Sequence, residues 1–245
     1  MHSRHELVWL SRDGWAAVQA QAGPGDRAPG SDFGAVARWR ANDWPLVVRR
    51  RPPGLADTQV ALGLPLPPAP DGSKRRFACV VDARMVARWQ APLTLAEAAH
   101  AAPARWHDAL HALLADCTRT AAALPRRAFV PGGAAVPLCP LVFGSLSMQA
   151  MTGLSYLRAD SDLDLLLAPE SRAELAAALA LLQRHATSLP LDGEIVFPGG
   201  VAVAWREYAT AAASPLVGAR LLAKDGHGVR LATRESLEAS LGPPC

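Results

Sequence analysis

The hydrophobic positions in the first half of the chain form short apolar runs separated by proline and glycine. Both the stretch 22–30 and the stretch 52–72 are rich in these two residues. The first is expected to be a loop, and the second is expected to be loop and edge structure with a strand at 59–64. The other apolar runs predict strands at 6–10, 46–48 and 77–81 and a short helix at 33–41.

Longer periodic segments follow in the second half. Apolar residues recur at helical spacing from Trp106 to Leu124, with Pro103 before them and Pro125 after them, so a helix is predicted over 104–124. Beyond this helix the pattern predicts strands at 138–143, 163–167, 195–197 and 201–205, a short helix or turn at 146–151, and a helix at 170–187.

This order of elements fits a small mixed sheet with helices packed on it, so the predicted fold class is α+β. A loop with three prolines and two glycines at 125–137 is the predicted domain boundary. We therefore expect a small N-terminal α+β domain at 1–130 and a C-terminal domain at 131–245. The length of 245 residues is compatible with one or two domains.

Composition excludes several classes of protein. Half of the residues are hydrophobic, which excludes global disorder. No stretch approaches 18 uninterrupted apolar residues, and the N-terminus lacks the apolar region of a signal peptide, so no membrane association and a cytoplasmic location are expected. The four cysteines have no CxxC spacing, which argues against a zinc site and a disulfide framework.

Charge narrows the choice of partner. A net charge of +3 and an aromatic content of 6% are far from the basic, aromatic surface of a dedicated nucleic-acid binder, so nucleic acid is an unlikely partner. A mildly basic chain is compatible with an anionic substrate.

The candidate chemistry begins with a pair of aspartates. Asp162 and Asp164 are two residues apart at the start of an apolar strand and therefore share a face. Adjacent carboxylates repel one another, and a divalent cation such as Mg²⁺, or Mn²⁺ in its place, relieves that repulsion. Gly144 and Ser145 stand between a strand and a helix, where backbone N–H groups can donate hydrogen bonds to a phosphate. Together these residues predict metal-assisted phosphoryl or nucleotidyl transfer.

A third carboxylate is expected on a later strand. Asp192 and Glu194 share a face by strand alternation. Asp192 precedes Gly193, a pair typical of a turn, whereas Glu194 enters the apolar strand directly. We prefer Glu194 as the third metal ligand, and Asp192 remains the alternative.

Basic residues are candidates for contacts with phosphate. Arg49 and Arg50 are expected to clamp phosphates through their guanidinium groups, the alternative being a solvated strand end. Lys224 is expected to reach a bound triphosphate, the alternative being a surface turn. Trp205 is expected in the core, the alternative for Trp205 and Arg206 being contact with the substrate.

The order of these motifs resembles the nucleotidyltransferase superfamily that includes DNA polymerase β. In that superfamily an apolar strand ends in Gly-Ser, a strand with D-x-D follows, and a later strand carries a third carboxylate. The gap between Gly-Ser and D-x-D is longer here than in minimal members, and the segment MTGLSYLRAD is expected to be an insertion.

A narrower resemblance covers the whole chain. The runs GSLSMQAMTGLSYLRADSDLDLLL, LDGEIVFPGGVAVAWREY and RHELVWL, with PLVVRRR and GLPLP, are similar to the malonate decarboxylase holo-acyl-carrier-protein synthases, also called phosphoribosyl-dephospho-CoA transferases. The resemblance implies transfer of the phosphoribosyl-dephospho-CoA group from triphosphoribosyl-dephospho-CoA to a serine of the acyl-carrier subunit, with release of pyrophosphate. It implies that Asp162 and Asp164 hold Mg²⁺ and that Gly144 and Ser145 bind donor phosphates.

Two alternatives keep the fold and change the function. The acceptor is then RNA, a small molecule or another protein side chain, or the domain is a non-catalytic nucleotidyltransferase-like binding module. The presence of both aspartates and of Gly-Ser disfavours a non-catalytic domain.

Overall fold

A computed structural model of the chain describes residues 3–23, 31–124, 138–214 and 218–242. These residues form helices and two β-sheets, which confirms the α+β class. They divide into two compact units. The first unit comprises the described residues up to Pro92 together with Met151–Tyr156 and Gly226–Gly228, and the second comprises the remainder.

The first unit contains an antiparallel five-stranded sheet in the order β4-β3-β2-β1-β5. Its elements are β1 (Leu7–Leu10), α1 (Arg12–Gln21), α2 (Asp32–Ala41), β2 (Leu46–Val48), β3 (Gln59–Pro65), β4 (Arg76–Asp82) and β5 (Val86–Gln90). Each helix begins after a serine, Ser11 or Ser31, whose side chain accepts a hydrogen bond from a backbone N–H of the first turn.

The second unit contains a seven-stranded mixed sheet in the order β12-β11-β10-β9-β8-β7-β6. Only β8 and β9 pair in parallel, and the other neighbours are antiparallel. Its strands are β6 (Leu93–Thr94), β7 (Leu141–Val142), β8 (Leu163–Leu167), β9 (Leu191–Phe197), β10 (Val201–Ala204), β11 (Arg220–Lys224) and β12 (Val229–Thr233). Its helices are α3 (Leu95–Ala98), α4 (His107–Ala123), α5 (Gly144–Thr152), α6 (Arg172–His185), α7 (Trp205–Ala213) and α8 (Arg234–Glu238).

Strand alternation gives the central strands of the seven-stranded sheet one apolar face. Leu163, Leu165 and Leu167 of β8 are buried on this face, and so are Ile195 and Phe197 of β9. The ring of Phe197 lies 5.7 Å from that of Tyr208, a buried residue of α7. The candidate polar residues occupy the opposite face.

Along the chain the division between the units falls between Pro92 and Leu93, which differs from the predicted boundary. The predicted loop at 125–137 lies outside the described residues. Residues 93–124 belong to the second unit because β6 pairs with β7 and because α4 is hydrogen-bonded to α6 through Asp116 and His185. Contacts between residues far apart in the chain cannot be predicted from local composition, which was the basis of the predicted boundary.

Most predicted elements are present with shifted ends. The predicted helix over 104–124 begins as a short 3-10 turn at Ala104–Trp106 and continues as α4. The predicted strand over 138–143 is only β7, because Leu138 has a positive φ of 58° that interrupts extended backbone. The predicted strand over 201–205 ends at Ala204, since Trp205 begins α7. No helix within the described ranges has the length and apolar character needed to span a bilayer.

Candidate active site

Asp164 lies on β8 directly against the start of α5. Gly144 begins that helix with a positive φ of 69°, which glycine adopts without strain. A Cβ at Gly144 would lie 2.2 Å from Oδ2 of Asp164, so only a glycine leaves room for the carboxylate. The structure therefore brings the Gly-Ser motif and the D-x-D motif together, as the sequence predicts.

Asp162 and Ser145 flank this contact along the chain. Asp162 is exposed and stands immediately before β8, where the N–H of Leu163 donates to the carbonyl of Pro190. Ser145 is partly exposed in the first turn of α5. The first N–H groups of a helix have no partner within the helix, and a phosphate oxygen is a suitable acceptor for them.

Asp192 faces Asp164 across the parallel pair. In the register of β8 and β9, Asp164 is opposite Asp192, so the two side chains share a face and their strands are about 4.8 Å apart. Both residues are only partly buried. The interpretation of Asp192 and Gly193 as a turn is wrong, because both lie inside β9. Gly193 is needed for close approach instead, since a Cβ there would lie 1.9 Å from the carbonyl oxygen of Leu165.

Glu194 is buried and is paired with Lys224. The Nζ atom of Lys224 lies 3.3 Å from Oε1 of Glu194, and the Glu194 side chain is 8% exposed. Lys224 is on β11 and Glu194 is on β9, so the lysine spans the intervening strand, where Ala202 and Ala204 are small enough to allow it. A buried carboxylate needs such a partner, which gives Glu194 a structural reason for its position.

The basic residues from the first half of the chain belong to the first unit. Arg49 and Arg50 follow β2 and are exposed, and the stem of Arg49 lies close to Gly63 of β3. Arg51 is occupied within its own unit, where its guanidinium donates to the carbonyls of Leu55 and Gln59. Arg49 and Arg50 are thus the two exposed arginines of this run, whereas Arg51 is partly buried.

Arg206 is a further polar residue of this region, for which the sequence offers substrate contact only as an alternative. Its guanidinium donates to the carbonyl of Leu191 at 2.8 Å and lies 4.7 Å from the centre of the Trp205 ring. Leu191 precedes Asp192, so Arg206 places a positive charge at the start of β9. Trp205 is buried, as expected, and within the described residues its Nε1 has no hydrogen-bond partner. The sequence signal for Arg206 is a basic residue at the start of a helix that directly follows a strand.

The donor set at this site fits Mg²⁺. Among the described residues there is no group of three or more His, Cys, Asp and Glu side chains placed to hold a metal by themselves. Mg²⁺ needs fewer protein ligands, because it is commonly held by one or two carboxylates with substrate phosphates and water. The carboxylates of Asp164 and Asp192, on neighbouring strands, meet that requirement. Gly144 lies beside them, and a Cβ at this position would occupy the space of the Asp164 carboxylate.

Comparison with known proteins identifies the family. The family model described as the phosphoribosyl-dephospho-CoA transferase MdcG C-terminal domain matches residues 94–235, and the corresponding N-terminal domain model matches residues 3–92. The division between the two models falls at the same place in the sequence as the division between the two structural units.

Several relatives carry the name phosphoribosyl-dephospho-CoA transferase. One from Xanthomonas campestris pv. campestris is 39% identical over 239 residues, which cover 97% of each chain. One from Bradyrhizobium diazoefficiens is 36% identical over 216 residues, covering 87% of this chain and 85% of the relative. No solved structure matches the chain.

Fold and site together define an α+β protein with paired carboxylates beside a glycine-initiated helix on the polar face of a mixed sheet. Matches to both domains and along nearly the whole chain make the assignment specific. The chain belongs to the phosphoribosyl-dephospho-CoA transferase family.

Proposed function

We propose that the protein transfers a phosphoribosyl-dephospho-CoA group from triphosphoribosyl-dephospho-CoA to a serine of the malonate decarboxylase acyl-carrier subunit. Membership of the family, over both of its domains, supports this activity. The observation that carries the chemistry is the register that sets Asp192 opposite Asp164, beside the glycine that begins α5.

The reaction is a substitution at the α-phosphorus of the donor. The serine oxygen of the acceptor forms a bond to this phosphorus, and the bond from phosphorus to the β-phosphate oxygen breaks. Pyrophosphate leaves with the electron pair of the broken bond, and the proton of the serine hydroxyl is released to solvent. The substitution consumes no oxidant or reductant.

Asp162, Asp164 and Asp192 are the residues that would hold Mg²⁺, with Mn²⁺ as a substitute. When bound, the ion neutralises charge on the triphosphate and lowers the pKa of the serine hydroxyl. Asp192 replaces Glu194 as our third ligand because it is opposite Asp164, whereas Glu194 is two residues further and paired with Lys224.

The remaining candidates bind the donor. The N–H groups at Gly144 and Ser145 donate to donor phosphate oxygens at the start of α5. Arg49 and Arg50 are further proposed ligands of the donor phosphates. Lys224 holds Glu194 and keeps a positive charge on the same face as the aspartates.

The proposed activity is tested by incubating the enzyme with Mg²⁺, triphosphoribosyl-dephospho-CoA and the unmodified acyl-carrier subunit, and by measuring intact masses. We expect the carrier to gain one phosphoribosyl-dephospho-CoA group and one pyrophosphate to be released. Excess chelator should stop the reaction, and added Mg²⁺ should restore it.

A carrier with alanine in place of its acceptor serine is the control and should remain unmodified. The proposal is contradicted if the carrier keeps its mass under all conditions while a nucleoside triphosphate is transferred to RNA or to a small molecule. Full turnover in excess chelator contradicts the metal-dependent part alone.

A further inference from the structure

The large apolar side chains that are exposed in the described part of the chain all lie on one β-hairpin. Leu222 is on β11, and Val229 and Leu231 are on β12, the edge strand of the sheet. Their exposed fractions are 42%, 44% and 57%. Clustered apolar side chains at a surface mark a place that becomes covered on binding.

The three side chains lie on one face of the hairpin. Leu222 is directly opposite Leu231 and Lys224 is directly opposite Val229, and paired residues point to the same side. Three alternate residues of these strands, Leu221, Ala223 and Ala232, are buried on the other side. The cluster is therefore separate from the core of the second unit.

This face continues into the candidate active site. Lys224 pairs with Ala202 of β10, and Ala202 pairs with Val196 of β9, so all three side chains share a face. By alternation, Asp192 lies on the same face of β9 as Val196. Strand β12 is three strands from β9, which is about 14 Å at the usual spacing. A protein that covers the hairpin can present a side chain to the aspartates.

The hairpin also carries positive charge. Its residues 220–233 contain three basic residues and one acidic residue, which gives a net charge of +2. Arg220 and Lys224 lie on the same face as Leu222, whereas Arg230 is opposite Ala223 and points to the other face. Arg220 is exposed and forms no ion pair within the described ranges, and Lys224 is paired with Glu194. The surface around the apolar cluster is therefore complementary to an acidic partner.

We propose that the exposed face of the β11–β12 hairpin docks the acceptor protein, which presents acidic and apolar side chains around its reactive serine. This inference rests on the proposed function, because it assigns a surface to the acceptor of that reaction. A cluster of three apolar residues with a basic rim suits a small, transient interface. The modified acceptor must leave after each turnover, so a weak contact is appropriate.

The test measures binding of the unmodified acyl-carrier subunit by calorimetry in the absence of donor. We expect Leu231→Asn and Arg220→Glu each to raise the dissociation constant about tenfold. In steady-state assays the KM for the carrier should rise, while the KM for triphosphoribosyl-dephospho-CoA should stay unchanged. Higher ionic strength should weaken binding by the unsubstituted enzyme more than by Arg220→Glu.

Two variants serve as matched controls. Leu231→Met keeps an apolar side chain at the cluster, and Arg12→Glu makes the same charge change at an exposed position of α1 in the first unit. Both should bind the carrier as the unsubstituted enzyme does. Thermal unfolding of every variant checks that the fold is intact.

The proposal is overturned if Leu231→Asn and Arg220→Glu bind the carrier normally, or if they change only the KM for the donor, in which case the face binds the donor. It is also overturned if the unsubstituted enzyme binds no carrier. If the unsubstituted enzyme binds the carrier through this face but transfers no group, the docking surface stands and the proposed function fails.

Discussion

Two glycines allow Asp164 and its strand to occupy their positions, because neither glycine has a side chain that would clash with them. Gly144 leaves room for the carboxylate of Asp164, and Gly193 leaves room for the backbone of Leu165 on the same strand. Both have positive φ, at 69° and 131°. At the residue scale, the position of the candidate metal ligand therefore depends on two residues that carry no functional group.

Gly144→Ala is expected to displace the Asp164 carboxylate, because the added Cβ occupies its place. Unfolding should become easier by about 1–2 kcal/mol from the positive φ alone. Transfer activity should fall at least about tenfold, since misplacement of a metal ligand is added to this strain. Chemical denaturation and steady-state kinetics measure the two effects.

Gly153→Ala is the matched control. Gly153 has the same φ of 69°, but a Cβ there meets nothing within 4 Å. It should lose similar stability and keep its activity. Equal activity in the two variants would contradict the role assigned to the contact between Gly144 and Asp164.

The choice between the two candidate third ligands is also a prediction at this scale. Asp192→Asn should lower kcat/KM at least about a hundredfold and weaken Mn²⁺ binding, because Asp192 is opposite Asp164. Glu194→Gln should retain most Mn²⁺ binding, because its carboxylate is already paired with Lys224. Electron paramagnetic resonance of Mn²⁺ titrations measures the difference. The reverse order of effects would restore Glu194 as the ligand.

At the scale of elements, a buried aspartate joins two helices of the second unit. Asp116 of α4 accepts hydrogen bonds from His185 at 2.8 Å and from Arg184 at 3.1 Å, both on α6, and from Arg119 on its own helix. The hydrogen bond from His185, followed by that from Arg184, lowers the pKa of Asp116 below its usual range. The ionised form is therefore favoured by folding.

Asp116→Asn should destabilise the protein at neutral pH, because it removes the charge that these three donors share. A lowered pKa contributes stability above the unfolded pKa of about 4, and that stability is lost as the pH falls through the folded value. The gap in unfolding free energy between the two proteins should therefore narrow as the pH falls below about 4. Urea denaturation across pH measures it.

Asp108→Asn is the control on the same helix. Asp108 is exposed in the first turn of α4, so its replacement should change stability by no more than about 0.5 kcal/mol. A gap between Asp116→Asn and the unsubstituted protein that stays constant from neutral pH to pH 2 would contradict the assigned pKa direction.

At the scale of the whole molecule, the two units carry different candidate roles. The carboxylates, Gly144 and Lys224 belong to the second unit, and Arg49 and Arg50 belong to the first. Arg50→Ala should raise the KM for triphosphoribosyl-dephospho-CoA about tenfold and leave binding of the carrier unchanged, because a guanidinium recognises phosphate. Arg12→Ala, a change at an exposed position of the same unit, should change neither. An unchanged donor KM in Arg50→Ala would remove this residue from the site.

Some elements of the fold can be predicted from short stretches of sequence, and others cannot. Strand β2 was predicted at its observed bounds of Leu46–Val48, and the motifs placed Gly144 beside a helix and Asp164 on a strand. Helix α1 was missed, although Ser11 is a capping residue in the sequence. The hairpin of β11 and β12 was also missed. Leu222 and Leu231 are apolar but exposed, so these strands lack the regular alternation of apolar and polar residues.

The sequence alone determined the α+β class, the resemblance to the family and the residue types of the site, because periodicity and motif order are local properties. Asp192 and Glu194 share the same alternation, and the sequence favours Glu194 only because Asp192 precedes a glycine. Only the parallel register of β8 and β9 set Asp192 opposite Asp164, and only the neighbouring strands paired Glu194 with Lys224. Register, ion pairing and the unit boundary depend on residues far apart in the chain, and tertiary structure alone decides them.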